Sequence, residues 1–364
     1  MCGKFEKHYG RSDFDAALND AFGILEFSRD NYDSTDGRNA LSNFYMAKAY
    51  EAMGDPEVAK SYIKKSHALL LPNMAYDEFT VDVSRLYGRI ETELGYHKSA
   101  GYHLSNALEI SLDLFGPESY PYLQSLYAMA ELEMAMARWD QMISILTDGL
   151  QIHERNFPLD HAYALYANYL GLLFMNSELM QEAILYLNKA LSAYQGRALE
   201  KDITFANANN NLGLILYYHS DFEDAALHFE EAASIYLKHG NGYSENYMML
   251  LSNRASLYVG WGKESLRESS YSELGEYLDL YAGRRDLPYI QGLENMAAFQ
   301  ASAGSFSQAE AFYLRAIEAR KGMDPVDHEG LQRTIQSLVS VCEEFNESEK
   351  ASLYREQIKS SGDK

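Results

Sequence analysis

Five asparagines recur at intervals of 42 residues, and their side chains are well suited to hydrogen-bonding another polypeptide. They form two series, Asn168 with Asn210, and Asn211 with Asn253 and Asn295. A side-chain amide both donates and accepts, so it can pair with the N–H and the C=O of an extended peptide. Asparagine is a mediocre helix former, so its recurrence needs an explanation. Either the amides bind a peptide backbone, or they hydrogen-bond an adjacent part of the chain and fix its packing.

Two arginines form the second candidate site. Arg85 and Arg89 are four residues apart, which is about one helical turn, and together they can hold a carboxylate through paired hydrogen bonds. The alternative is internal, a ladder of ion pairs along one helix face with Asp82 and Glu93. Both interpretations predict a charged helix surface in this region.

Residues for catalysis or metal binding do not form a recognisable pattern. The ten histidines are scattered, and there is no HExxH, GxSxG or glycine-rich phosphate loop. Cys2 and Cys342 lie at opposite ends, which indicates neither a disulfide framework nor a zinc site. Cys342 falls on an apolar helix stripe and is expected to be a buried, inert thiol. We therefore predict no catalytic residue, no metal and no cofactor, and a chain that is not an enzyme.

The charge balance restricts the partners. The 364 residues include 31 Lys and Arg against 53 Asp and Glu, a net charge of −22. This acidity argues against nucleic acid, whose binders need a basic face, and it favours basic protein or peptide partners. No apolar run approaches the roughly 20 residues of a membrane span, and no signal peptide is recognisable. A cytoplasmic location is expected, with a lipid-anchored or exported fragment starting at Cys2 as the alternative.

Self-comparison of the chain shows a repeat. In the segment FEDAALHFEEAASIY (222–236), Ala225 is followed by Phe229 and Ala232, and similar triples recur along the sequence. We call the first small residue of each triple the marker. The markers fall at residues 17, 59, 100, 142, 183, 225, 267, 309 and 351, always 41 or 42 apart. Such a period predicts a stack of similar structural units.

Each unit is expected to be a pair of antiparallel helices. A second small residue lies twelve positions before most markers, as Gly213 does before Ala225. Facing small residues let two helix backbones approach closely, while larger residues fill the space beside them. Two markers break the rule, Met142 and Arg267, and a register slip or a bend is expected in the helix within 262–283.

These motifs resemble the tetratricopeptide repeat (TPR). Its pattern L-G-x2-Y, then A-x3-F, is matched by Leu170-Gly171 with Phe174, and by Leu212-Gly213 with Ala225 and Phe229. The usual TPR period is 34, whereas the 42-residue form is similar to the repeats of kinesin light chains and related bacterial arrays. The resemblance implies an all-α fold, an α-solenoid of about nine stacked antiparallel helix pairs that form a right-handed superhelix.

The whole chain, 1-364, is predicted to be a single repeat array with an atypical first and last repeat. The predicted repeats are 1-32, 33-72, 73-115, 116-157, 158-198, 199-240, 241-283, 284-324 and 325-364.

In TPR arrays, the first helix of each pair lines a concave groove. The resemblance places the five asparagines, Arg85 and Arg89 in that groove, together with an adaptable apolar surface. That surface comprises Tyr127, Met134, Met175, Tyr217 and Tyr218. The implied function is a non-catalytic scaffold that binds a peptide or protein segment in the groove. The alternative is a regulatory or sensor segment of a larger bacterial protein, such as a caspase-like peptidase or a signalling-peptide receptor.

Overall fold

The computed structural model describes residues 2–11, 13–70, 77–194, 201–238, 245–323 and 326–361, and within these ranges it contains eighteen helices and no strand. The described chain divides into two compact units, Met1–Ser177 (unit 1) and Glu178–Lys364 (unit 2). None of the described helices has the length and apolar character that a membrane span requires.

Unit 1 contains nine helices. They are α1 (Cys2–Tyr9), α2 (Phe14–Asn31), α3 (Asn39–Ala52), α4 (Pro56–Leu70), α5 (Glu78–Glu93), α6 (His97–Phe115), α7 (Tyr120–Ala135), α8 (Trp139–Asn156) and α9 (His161–Asn176). Unit 2 contains the other nine. They are α10 (Met180–Ser192), α11 (Ile203–Tyr218), α12 (Phe222–Lys238), α13 (Glu245–Trp261), α14 (Glu264–Leu280), α15 (Leu287–Ser302), α16 (Phe306–Lys321), α17 (His328–Glu344) and α18 (Ser348–Ser361).

Helices pack in the order in which they occur. Within each unit, odd-numbered helices (A helices) pack against the even-numbered helix that follows (B helices), for example α3 on α4 and α11 on α12. Each B helix also packs on the next A helix of its unit, and neighbouring A helices touch, as α5 and α7 do. This arrangement of helix pairs confirms the predicted all-α solenoid of stacked pairs. Four predicted repeat boundaries, after residues 72, 198, 240 and 324, lie outside the described residues.

The predicted close packing at the small residues is confirmed. Every marker is the fourth residue of its B helix, and all except Arg267 are buried. A Cβ atom added to Gly213 would lie 2.8 Å from Phe229 Cε1 and 3.2 Å from the backbone oxygen of Ala225. A Cβ added to Gly88 would overlap Leu104 Cγ. Only glycine fits at these two contacts between the A and B helices.

The expected register slip at the seventh B helix is wrong. Helix α14 runs unbroken from Glu264 to Leu280. Its buried Leu274 has the same offset from Arg267 as buried Ala232 has from Ala225. Arg267 is accommodated in register because it is only half-buried, with its guanidinium 5.7 Å from the centre of the Phe299 ring.

Two features that set the helix ends also follow the repeat. Most A helices begin at a side-chain cap, which accepts a hydrogen bond from the backbone N–H three residues on. These caps are Asp77, Ser119, Asp160, Asp202, Asp286 and Asp327. Five residues before a marker, the chain turns through a residue of positive φ. These residues are Gly54, Gly95, Ala137, Glu178, Ser220, Gly262, Gly304 and Asn346.

Candidate functional site

Charged side chains link the A helices of unit 1. Arg89 on α5 pairs with Glu51 on α3, Nη2 to Oε1 at 3.0 Å, and with Glu131 on α7, Nε to Oε2 at 3.4 Å. The hydroxyl of Tyr166 on α9 donates to Glu131 Oε1 at 2.8 Å. Burial raises the pKa of Glu51, and the charge of Arg89 opposes that rise. Arg89 is therefore part of a network that ties neighbouring repeats together.

Arg85, one turn before Arg89, has a different environment. Its Nη2 donates to Asp82 Oδ1 at 2.7 Å, which is the pair expected for an internal ladder. Its Nη1 atom is buried and has no hydrogen-bond partner within the described residues. Burial lowers the pKa of Arg85, while Asp82 partly offsets this effect. The predicted continuation of the ladder to Glu93 is wrong, because Arg89 pairs across to Glu51 and Glu131 on other helices.

A cavity of about 200 Å³ lies beside these arginines, and we call it the Arg85 cavity. Arg85, Arg89 and Lys48 supply its cationic lining, and Tyr9 and Phe44 contribute aromatic rings. Lys48 pairs with Glu6 at 3.1 Å, and its Nζ lies 4.4 Å from the centre of the Tyr9 ring. Burial, assisted by the charge of Glu51, raises the pKa of Tyr9 to about 12, so this hydroxyl stays protonated at neutral pH.

Several of the five asparagines form hydrogen bonds within the protein. Asn253 Nδ2 on α13 donates to Asn210 Oδ1 on α11 at 3.1 Å, which links two neighbouring A helices. Asn295 accepts from Gln291 of its own helix at 3.2 Å, and Asn211 is half-buried. Asn168 and Asn210 are 4% and 7% exposed. The expectation that these two amides face an open groove is therefore wrong, because both side chains are buried.

We expect the Asn253–Asn210 hydrogen bond to stabilise unit 2. Asn210→Ala should lower the free energy of unfolding by about 1 kcal/mol, the usual net contribution of one hydrogen bond. Asn295→Ala is the matched control, since Asn295 bonds within its own helix and alanine is the better helix former. Urea titrations followed by circular dichroism measure both. A variant pair with equal midpoints would contradict this role.

The predicted apolar surface is only partly exposed. Tyr127 is 4% exposed, its hydroxyl lies 3.0 Å from His153 Nδ1, and its ring stacks on Tyr166 with centroids 3.9 Å apart. Its assignment to the surface is wrong because a glycine, Gly149 on the facing B helix, leaves room for the ring inside the core. Tyr217 is half-buried, and Tyr218 is 67% exposed.

Sequence reasoning missed a buried polar cluster between α4, α5 and α6. Glu91 is 3% exposed and pairs with Lys60 at 3.3 Å, and the His103 ring stacks on Tyr87 at 4.1 Å. Burial and the neighbouring His67 lower the pKa of His103 to about 4, so this ring is neutral near pH 7. Nothing in the spacing of these residues distinguishes them from surface histidines. No group of three ligating side chains within the described ranges could hold a metal ion.

The fold is that of tetratricopeptide-repeat proteins, as solved structures show. The apo form of RapI has a TM-score of 0.60 at 13% identity, covering 87% of this chain and 84% of RapI. A Signal Transduction ATPase with Numerous Domains (STAND) protein with a TPR sensor, from Pyrococcus horikoshii, gives 0.65 at 14% identity, covering 80% and 44%. A TPR protein from Parabacteroides merdae gives 0.52 at 14% identity, covering 81% and 98%.

The predicted TPR fold is thereby confirmed. Identities this low establish the fold alone. The sequence matches no protein-family model, and no curated protein matches it significantly.

Proposed function

We propose that this chain is a non-catalytic protein-interaction module, and that its Arg85 cavity binds a carboxylate of a protein or peptide segment. The observation that carries this proposal is the Arg85 guanidinium, which lines the cavity, is 16% exposed and has an Nη1 atom without a partner within the described residues. A buried donor without a partner costs about 1–3 kcal/mol, and an acceptor from a ligand would remove that cost. Asp82 holds the other end of the guanidinium and so fixes its orientation.

The size and charge of the cavity define the ligand further. A volume of about 200 Å³ is below the ~300–1,000 Å³ of typical small-molecule pockets, and it suits one side chain or a chain terminus. Lys48 and Arg89 are each paired with a carboxylate of the lining, Glu6 and Glu51, and the Nη1 atom of Arg85 is left without an acceptor within the described residues. The ligand is therefore a single carboxylate on a longer segment. The net charge of −22 favours partners that are basic outside this contact.

Replacing Arg85 tests the proposal. The probes are short fluorescein-labelled peptides with one glutamate, and the same peptides with glutamine at that position. Arg85→Gln should weaken binding of the glutamate peptide by about 10- to 100-fold, because hydrogen bonds between charged groups contribute about 1.5–3 kcal/mol. Fluorescence anisotropy gives the dissociation constants.

Arg333→Gln is the control, since among the described residues this exposed arginine on α17 pairs with Glu329 of its own helix alone. It removes the same charge and should leave the affinity unchanged. Equal binding of the glutamate and glutamine peptides, or wild-type affinity in Arg85→Gln, would contradict a carboxylate site.

A second function, that of a sensor or regulatory segment within a larger protein, uses the same site. The support is the likeness of this fold to 44% of the Pyrococcus horikoshii protein, which is described as having a TPR sensor. Hydrogen–deuterium exchange in the presence of the glutamate peptide distinguishes a scaffold from a sensor. A scaffold should gain protection only in α1, α3, α5 and α7, whereas a sensor should also change its exchange in unit 2.

A further inference from the structure

A second cavity, of about 650 Å³, opens in unit 2 between the B helices α14 and α16. We call it the α14–α16 cavity. The last turns of the intervening A helix, α15, line it with Met296, Phe299 and Gln300. It shares no residue with the A-helix positions that the repeat pattern predicts as binding residues.

The cavity exists because one repeat lacks a large side chain. Gly275 lies eight residues after the marker of its helix and lines the cavity. Most other repeats carry a large aliphatic residue at this offset: Leu25, Leu108, Leu150, Leu191 and Ile317. A Cβ at Gly275 would meet only the Met296 Cε atom, at 3.3 Å. A larger residue therefore fits once the flexible end of the Met296 side chain moves by a few tenths of an ångström, and glycine inside a helix costs stability relative to alanine. Stability given up in this way is typical of a binding site.

The walls of the cavity are apolar and adaptable. Tyr271 on α14 stacks on Phe299 of α15 with ring centroids 3.8 Å apart and planes 11° apart. Met296 supplies a flexible thioether, and Phe312 on α16 contributes a half-buried ring. Such a set of rings and methionine suits an inserted apolar side chain.

The rim of the cavity carries two acidic side chains that form no ion pair within the described residues. Glu268 and Glu276 on α14 are exposed, and neither forms an ion pair within the described residues. Among the described residues Arg315 is the one cation of the lining, and it is engaged by Asp279 at 3.0 Å and by the Tyr289 hydroxyl at 3.2 Å. The Arg267 guanidinium lies next to the lining, 5.7 Å from the centre of the Phe299 ring. The rim is therefore complementary to a cation, as is the chain as a whole with its charge of −22.

We infer that the α14–α16 cavity is a separate docking site for a basic protein segment, which inserts one apolar side chain between flanking lysines or arginines. The apolar side chain occupies the space left by Gly275, and the flanking cations pair with Glu268 and Glu276. This inference does not depend on the Arg85 cavity, and the two sites select opposite charges.

Filling the cavity tests this inference. The probe is a short fluorescein-labelled peptide with a central leucine flanked by lysines, and the reference peptide has glutamates in place of the lysines. Wild-type chain should bind the lysine peptide and not the reference peptide. Gly275→Leu should weaken binding about tenfold or more, while its melting temperature stays equal or rises, because the substitution restores a residue that other repeats carry.

Two further measurements keep the test decisive if Gly275→Leu is unstable. Glu268→Gln with Glu276→Gln should weaken binding about fivefold and reduce its salt dependence. Glu344→Gln with Glu349→Gln, which removes the same charge elsewhere, should have no effect. The methyl resonance of Met296 should shift when the lysine peptide is added to the wild-type chain.

Four outcomes would overturn the inference. They are absence of binding, full affinity in a folded Gly275→Leu variant, equal effects of the two glutamate pairs, and an unmoved Met296 methyl. Concentration-dependent self-association of the wild type that Gly275→Leu abolishes would also overturn it, since the occupant would then be a second copy. Arg85→Gln should leave the lysine peptide bound, which separates failure here from failure of the proposed function.

Discussion

Gly213→Leu is expected to lower the free energy of unfolding by about 1–3 kcal/mol or more, the usual cost of inserting methylene groups into a filled core. The reason is geometric, since even a Cβ at this position would lie 2.8 Å from Phe229, a fully buried ring. The backbone oxygen of Ala225, 3.2 Å from the added Cβ, also belongs to the facing helix, so the overlap can be relieved only if the two helices move apart. Gly88→Leu should behave in the same way against Leu104 in unit 1. Urea unfolding followed by circular dichroism measures the change.

Ala298→Leu is the control for these two variants. Ala298 is exposed on α15, so the added side chain meets water and the free energy of unfolding should change by less than about 0.5 kcal/mol. Gly101→Ala on α6 should stabilise the chain slightly, because its Cβ would meet only Leu132 Cδ2 at an ordinary 3.6 Å. If the two glycine-to-leucine variants match the Ala298 control, the assigned contact between A and B helices is wrong.

The fold could be predicted from the sequence because the pattern of small residues that defines it is local and periodic. The small residues repeat every 41 or 42 positions, and the structure places each marker fourth in its helix. The turn residues of positive φ are harder to predict, although they follow the same period. Only half of them are glycine, and Ala137, Glu178, Ser220 and Asn346 take the same conformation without a glycine signal. At these four positions the packing of the flanking helices sets the positive φ, and the residue type alone does not predict it.

The candidate site was less accessible, because its contacts depend on how the helices lie side by side. The Arg85–Asp82 pair is within one helix turn and follows from spacing. The Arg89 pairs with Glu51 and Glu131 connect residues about one repeat apart, and they form only when α3, α5 and α7 are adjacent. For the same reason, the burial of Tyr127 could not be inferred, since it depends on Gly149 of the facing helix.

Arg320 is the clearest case of a residue that the repeat pattern does not reveal, and it gives the largest expected effect. It lies near the end of α16 with a side chain only 8% exposed. Its Nε donates to Thr334 at 2.8 Å, its Nη1 to Asp327 at 2.5 Å, and its Nη2 to Glu294 at 3.1 Å. Glu294 lies on α15, Thr334 lies on α17, and Asp327 directly precedes α17. One guanidinium therefore joins the last repeats of unit 2. A Cβ at Gly330 would overlap both Arg320 and Asp327, so glycine is required there.

Arg320→Leu should therefore lower the free energy of unfolding by about 3–5 kcal/mol, because it leaves the Glu294 and Asp327 carboxylates without their partner. Adding Glu294→Gln to Arg320→Leu should recover part of the lost free energy of unfolding, since one of the two unpaired carboxylates is then removed. Arg333→Leu, which breaks only the exposed pair with Glu329, should cost less than about 0.5 kcal/mol. Urea midpoints of the full chain compare the three variants. If Arg320→Leu and Arg333→Leu unfold at the same midpoint, the buried pairs do not hold the last repeats together.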